Sequence, residues 1–405
     1  MKYTKPFLII LSILLLSSCI EEIDTATEFQ ANSQIGSFLV VEAILTNEPK
    51  RHEVILSRGI SFGNDSTQAV ESNATVSVVD DVGNHFSYSE IVPGTYASNL
   101  IFEAVEGRKY QLHITTSEGK TYQSDEEVLP SGITVDRLYA ERSFDDSDNE
   151  GVGIFLDVFK EPEQVPLLRY EYEETYKIIA PLWSPLDMVL LNPDPPYAFG
   201  LVPREQEERV CYATELSNTI IQTSGLNITG ESVEKIRVRF IAGDNYMISH
   251  RYSILVTQFV QDQDAFSYYR ALEKQSTSEN VFSEVQPGFI EGNIKNNVDS
   301  DEMVIGYFEV SNSTRQRIFF NYEDFFPNRD LPPYPINCNF LGAPPVIDPG
   351  GGSPLAAAIE SGAFVYVRDN NGEVLEGGPY MTARRECGDC TVLGSNIVPE
   401  FWRED

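Results

Sequence analysis

From residue 38 to residue 122, apolar and polar side chains alternate in short runs, each closed by turn chemistry. Residues 38–43 form a run rich in strand formers, and residues 52–57 set Val54 and Leu56 against polar neighbours. Ala74, Val76 and Val78 alternate with Thr75, Ser77 and Val79, and Asp80-Asp81-Val82-Gly83-Asn84 supplies a hairpin turn before Phe86 and Tyr88. The same pattern returns at 93–96, at 107–114 and, after Gly119, at Thr121-Tyr122. Short strands at this spacing predict a small β-sandwich over residues 36–129. Leu129-Pro130-Ser131-Gly132 closes the series, and a second, larger β-rich domain is expected over 133–405. Its strands are placed at 153–159, 169–179, 234–241, 252–258, 303–310 and 317–320.

Two segments break the two-residue period. Over 262–275, Ala265, Tyr268, Tyr269 and Leu272 fall on one face of a helix, with Asp262 and Asp264 suited to its N-terminus. A second short helix is expected at 354–360, with Ser353 as N-cap and Pro354 in the first turn. Residues 181–208 and 326–353 read as long proline-rich loops with no period of their own. Loops of that length are uncommon unless they bind something or are disordered, and their apolar and aromatic content argues against simple disorder. Trp183, Tyr197 and Phe199 in the first and Tyr334 in the second are the candidate contacts for a partner or ligand.

The first residues fix the expected address. Lys2 and Lys5 precede an almost wholly apolar stretch at 7–16, too short to span a membrane, which ends in Leu16-Ser17-Ser18-Cys19. This ending resembles the lipobox of bacterial lipoproteins, which implies a signal peptide over 1–18 and acylation of Cys19. Several acyl chains on one residue anchor a protein stably, at about 0.8 kcal/mol per buried methylene. Residues 19–35 then form a tether in which Glu21, Glu22 and Asp24 stand beside the lipid. Such an acidic tract resembles the surface-export signal of Bacteroidota lipoproteins, which implies the outward face of the outer membrane.

Composition narrows the partners. Lys+Arg 29 against Asp+Glu 62 gives a formal charge of −33, a field that opposes nucleic acid and anionic lipid surfaces. Without Cys19 the cysteines are Cys211, Cys338, Cys387 and Cys390, so two structural disulfides in one of three connectivities are expected. Cys387-Gly388-Asp389-Cys390 as a redox pair or half of a zinc site is the alternative. His52, His85, His113 and His250 stand singly, and no metalloprotease or nucleophile-elbow motif occurs, so the chain is read as non-catalytic. No cofactor is expected, with one candidate exception. Asp146, Asp148 and Glu150, with Asp157 at the twelfth position, approximate an EF-hand calcium loop. The strand pattern at 153–159 withholds the exiting helix such a loop needs.

The N-terminal sandwich resembles the Ig-like and carboxypeptidase-regulatory-like modules of bacterial surface proteins. Nearly the whole chain resembles the Bacteroidota lipoprotein family catalogued as domain of unknown function 4249. The resemblance is carried by the lipobox and acidic tract, the strand from Leu39 to Thr46, Tyr252-Ser253-Ile254-Leu255-Val256 leading to Tyr268-Tyr269, Gly292-Asn293-Ile294, Gly306-Tyr307-Phe308, and the ending from Cys387 to Trp402. It implies an accessory outer-membrane lipoprotein that accompanies a TonB-dependent transporter in nutrient uptake. The alternative expectation is an independent surface glycan-binding protein or hydrolase.

Overall fold

A computed structural model describes residues 38–59, 69–159, 165–225, 232–277, 290–299, 302–342, 352–372 and 378–404. Cys19, Glu21, Glu22 and Asp24 lie outside the described residues, as does the signal segment. The protein is mainly β, as the alternation predicts. Strands β1 (Phe38–Thr46), β2 (Glu53–Gly59), β3 (Ala69–Val70), β4 (Thr75–Asp80), β5 (His85–Val92), β6 (Thr95–Ser98), β7 (Lys109–Thr115), β8 (Thr121–Ser124) and β9 (Glu127–Val128) make the N-terminal part. They are hydrogen-bonded in the order β1-β2-β6-β5-β4-β7-β8, and the sheet folds over one core. Leu39, Val41, Ala43 and Leu45 of β1 face Val76 and Val78 of β4 and Tyr110, Leu112 and Ile114 of β7 across that core. The intervening residues point outward, which is the physical content of the period-two pattern. The turn at 80–84 is held by Asp80, whose carboxylate accepts the Asn84 N–H at 2.7 Å and a hydrogen bond from Arg108 at 2.9 Å, with Gly83 at φ 89°.

Strands β10 (Thr134–Phe144), β11 (Glu150–Phe159), β12 (Leu167–Ile179), β13 (Leu186–Asn192), β14 (Ala198–Pro203), β15 (Val210–Leu216), β16 (Ile221–Ser224), β17 (Ser232–Ala242) and β18 (Arg251–Val260) follow. The sheet β10-β11-β17 packs its inner face on β12 and β18, forming a second sandwich whose core includes Val152, Ile154, Leu156, Tyr170, Tyr252 and Ile254. Helix α1 (Gln263–Thr277) then starts where the sequence places it. Asp262 accepts the Ala265 N–H at 2.7 Å, and Ala265 and Tyr268 are buried against Tyr307. Strand β19 (Ile294–Asn296) pairs with β8.

Strand β20 (Val304–Asn321) joins the two cores. Its first half runs parallel to β1 and contributes Val304, Phe308 and Val310 to the first core, and its second half runs antiparallel to β18 and contributes Phe320 to the second. The sequence reads two strands here, at 303–310 and 317–320. The polar stretch between them stays in the ladder because its groups find partners: Ser311 Oγ donates to the Val260 carbonyl at 2.8 Å, and the Ser313 N–H donates to Asn47 at 2.7 Å. The remaining elements are α2 (Tyr322–Phe325), β21 (Leu341–Gly342), α3 (Pro354–Ser361), β22 (Phe364–Asp369), β23 (Tyr380–Arg384) and α4 (Arg385–Gly388). Helix α3 carries the expected caps: Ser353 accepts the Ala356 N–H at 3.0 Å and Gly362 closes the helix at φ 63°. Among the described residues, no helix is long and apolar enough to cross a membrane.

The join between β1 and β20 depends on one glycine. Gly306 sits at φ 146°, and a Cβ there would stand 2.2 Å from the Val41 carbonyl oxygen. Gly306→Ala is expected to cost about 2–3 kcal/mol through strain and lost ladder geometry, read as a lowered urea midpoint with an unchanged slope.

Candidate binding sites

The segment 181–208 differs from its reading as an irregular loop. β13 and β14 pair as a hairpin, with Met188 opposite Leu201 and Leu190 opposite Phe199. The apolar run and its prolines hide the alternation, which appears only when the strands are paired. One face of the hairpin, with Met188 and Phe199, packs on Leu355 and Ile359 of α3 and on Tyr366 and Tyr380. Leu191, Leu201 and Val202 remain exposed, Leu191 at 66%. Trp183 and Tyr334 are partly buried against a neighbouring small core. Both pack with Ile178, Ala180, Cys211 and Cys390, and the Tyr334 hydroxyl donates to the Glu386 carbonyl at 2.8 Å. Tyr197 stands half-buried at the hairpin end, and the carbonyl of neighbouring Pro196 accepts from Asn192 at 2.9 Å.

Two disulfides clasp this module, Cys211–Cys390 and Cys338–Cys387, each with Cα atoms 5.6 Å apart. Cys387 and Cys390 therefore bond to two distant partners, not to each other. Between the bridges lies a buried ion network. The Arg204 side chain is 2% exposed, pairs with Glu208 and with Asp187 at 2.9 Å, and donates to the Gly388 carbonyl at 3.2 Å. Asp389 accepts from Arg385 at 2.8 Å and from the Thr391 N–H at 2.8 Å. Burial raises the Glu208 carboxyl, with the Asp389 charge adding to it.

The calcium candidates are placed on the β10–β11 hairpin with cations of their own. Glu150 lies between Arg142 and Arg329, the latter at 2.6 Å, and these partners hold its carboxyl below the usual range. Asp146 pairs with Arg237 at 3.2 Å, and Asp148 takes φ 61° in the turn. Asp157 is at the other end of the hairpin, accepting from Arg137 at 2.7 Å, from the Tyr139 hydroxyl at 3.2 Å and from the Lys235 N–H at 2.8 Å. Turn closure falls to Asp145, which accepts the Ser147 and Asn149 N–H groups at 2.9 and 2.8 Å. Among the described residues, no group of three or more His, Cys, Asp or Glu is arranged to hold a metal ion.

Three of the four histidines are at least half-buried, and His85 is exposed. Buried His52 meets the Phe102 carbonyl at 3.0 Å and the edge of its ring, and burial lowers it to about 4, so the ring is neutral at pH 7. Burial also lowers His113 and His250.

Two cavities flank α1, and the sequence reading found neither. On one side is an acidic cleft of about 710 Å³, lined by Asp125, Glu127, Asp262, Asp264, Asn293 and Tyr307 among others. Glu127 is 7% exposed and accepts the Asn293 amide at 2.7 Å and the Tyr307 hydroxyl at 3.1 Å. Asn293 in turn brackets the Phe308 backbone, donating to its carbonyl at 3.0 Å and accepting its N–H at 2.8 Å. Burial first, and the hydrogen-bonded Asp262 carboxylate next, push Glu127 up to about 8. The signal for this cleft lies in Gly292-Asn293-Ile294 and Gly306-Tyr307-Phe308, tripeptides that carry the family resemblance. Nothing local shows that they meet around Glu127.

On the other side of α1 is a groove of about 920 Å³ bordered by Ile44, Arg51, Tyr268, Tyr269, Leu272 and Arg169. The Arg169 guanidinium lies 4.4 Å from the Phe259 ring centroid and 4.6 Å from that of Tyr269, and pairs with Glu309 at 3.1 Å and with Glu171. Burial opposes its charge, but the Glu309 and Glu171 carboxylates outweigh that and hold it above its ordinary value.

Residues 22–317, more than half of the 405 in the chain, match the family model described as Domain of unknown function (DUF4249). Comparison with curated proteins gives no match.

Proposed function

The chain belongs to this family of unknown function, and on that premise we propose that it is a lipid-anchored protein of the outer membrane. In this reading Cys19 carries the anchor, Glu21, Glu22 and Asp24 direct it to the outer face, and the body is a non-catalytic partner of a TonB-dependent transporter. The observation that carries the binding role is the β13–β14 hairpin. Its inner face is fixed by Leu355 and Tyr366, while Leu191 and Val202 are exposed. Apolar side chains exposed on a rigid element lose little freedom on docking, which is how interface anchors act.

Lipidated protein with Leu191→Asp and Val202→Asp should fold with an unchanged thermal midpoint. It should recover at least about tenfold less of the barrel from detergent-solubilised outer membranes, as loss of a central anchor of about 2 kcal/mol implies. The unaltered protein should recover a TonB-dependent barrel near one to one. Recovery of the lipoprotein alone, or undiminished recovery by the variant, would remove this reading.

A further inference from the structure

The acidic cleft is separate from the hairpin, and its chemistry does not depend on the partner. Glu127 lies on β9, the last strand of the first sandwich, and Asp262 caps α1. One Asp262 oxygen accepts the Ala265 N–H, so the cap position is tied to the helix itself. One oxygen of Glu127 is already taken by Asn293 and Tyr307, and the two carboxyl groups line the same cleft, where the Asp262 charge adds to burial in raising Glu127.

The groups around this pair are almost all acidic. Asp125 and Glu126 come from the segment leading into β9, Asp264 and Tyr268 from α1, Glu291 from the segment before β19, and Tyr307 from β20. Among the described residues, those lining the cleft include no Lys, Arg or His. The nearby cations are turned to other work: Lys109 pairs with Glu126 at 2.7 Å and Lys295 with Asp125 at 3.5 Å, both on exposed side chains. Among the described residues lining the cleft no basic side chain relieves the second carboxylate, and a proton does so.

We propose that Glu127 and Asp262 form a proton-dependent latch that holds the N-terminus of α1 on the first sandwich and sets how far the acidic cleft opens. With the proton in place, Glu127 donates to Asp262 and the helix end is seated. Once it is lost, two anions face each other in a wall without cations, and α1 is driven outward from its first turn. The elevation of Glu127 to about 8 places the change just above neutrality. The sign follows from linkage. The folded value lies above the ordinary 4.5, so the folded state binds the extra proton; its stabilisation is complete below about pH 4.5 and is lost as pH rises through about 8.

The test compares the full mature chain with Glu127→Gln and Asp262→Asn. Glutamine keeps a donor for Asp262 and an acceptor for Asn293 and Tyr307, and asparagine remains a good N-cap. Thermal midpoints of the native chain and Glu127→Gln should coincide near about pH 5 and part by several degrees by about pH 9.5, with the variant higher. Amide exchange in the first turns of α1, corrected for intrinsic rate, should quicken about tenfold with pH in the native chain and stay flat in Glu127→Gln. Asp262→Asn should move the native transition to lower pH. Should Glu127→Gln fail to fold, infrared spectra of the native chain decide: a protonated-carboxyl band at pH 7 that disappears on alkalinisation is expected. Parallel pH profiles for the two proteins, or the absence of that band, would overturn the latch.

Discussion

Cys211→Ser or Cys390→Ser is expected to detach the C-terminal module at denaturant concentrations that leave both sandwiches intact. The bridge joins positions 179 residues apart, and the Cys338–Cys387 bridge spans 49. The chain-entropy relation gives ceilings of about 5 and about 4 kcal/mol respectively, so losses of about 4 and about 3 kcal/mol are the working expectations. The dependence is strong because the module's own cores are small. The cluster around Ile178 and Ala180 counts the bridged cysteines among its buried members, and the one beneath the hairpin rests on Met188, Leu355 and Tyr366. Clusters of this size do not hold an element without a staple. Urea unfolding under oxidising conditions should show a new early transition in the variants, monitored by Trp183 and Trp402. An unfolding free energy within about 0.5 kcal/mol of that of the native protein would mean that the ion network around Arg204 suffices by itself.

The second large effect is expected at Glu309. This side chain is 1% exposed and Arg169 is 5% exposed, so Glu309→Ala leaves a guanidinium buried between Phe259 and Tyr269 with only the half-exposed Glu171 beside it. Breaking a buried pair in this way costs about 3–5 kcal/mol, and the surviving Glu171 contact places the expectation near about 3. Replacing both members, as Arg169→Met with Glu309→Leu, should recover most of that loss, because no charge is then left unpaired. A double-mutant cycle in guanidinium chloride measures the coupling. If the double variant were as unstable as Glu309→Ala, the pair would owe its effect to packing and not to charge.

What could be read in the sequence was local. The alternation of Leu39, Val41 and Ala43, the Asp80–Asn84 turn, the capped helix with Tyr268 and Tyr269, and the Ser353–Pro354 helix start all depend on neighbours within a few residues. The hairpin at 186–203 was not legible because both of its faces are apolar, so the period-two signal is lost. The cleft was not legible because Glu127 meets Asn293 and Tyr307 across 166 and 180 positions. Four cysteines permitted three connectivities, and only the placing of β15 against the 3-10 turn at Cys390–Val392 selects one of them.

Strand β1 is hydrogen-bonded on both sides, to β2 over six register positions and to β20 over eight. Its first residue, Phe38, is the end of the strand nearest in sequence to Cys19. A pull delivered there along the strand is resisted in shear, with both ladders loaded together instead of being opened one bond at a time. Because β20 continues from the first core into the second, that load spreads at once through both sandwiches. If the proposed anchor at Cys19 holds the chain against flow, tension meets this doubly paired strand first.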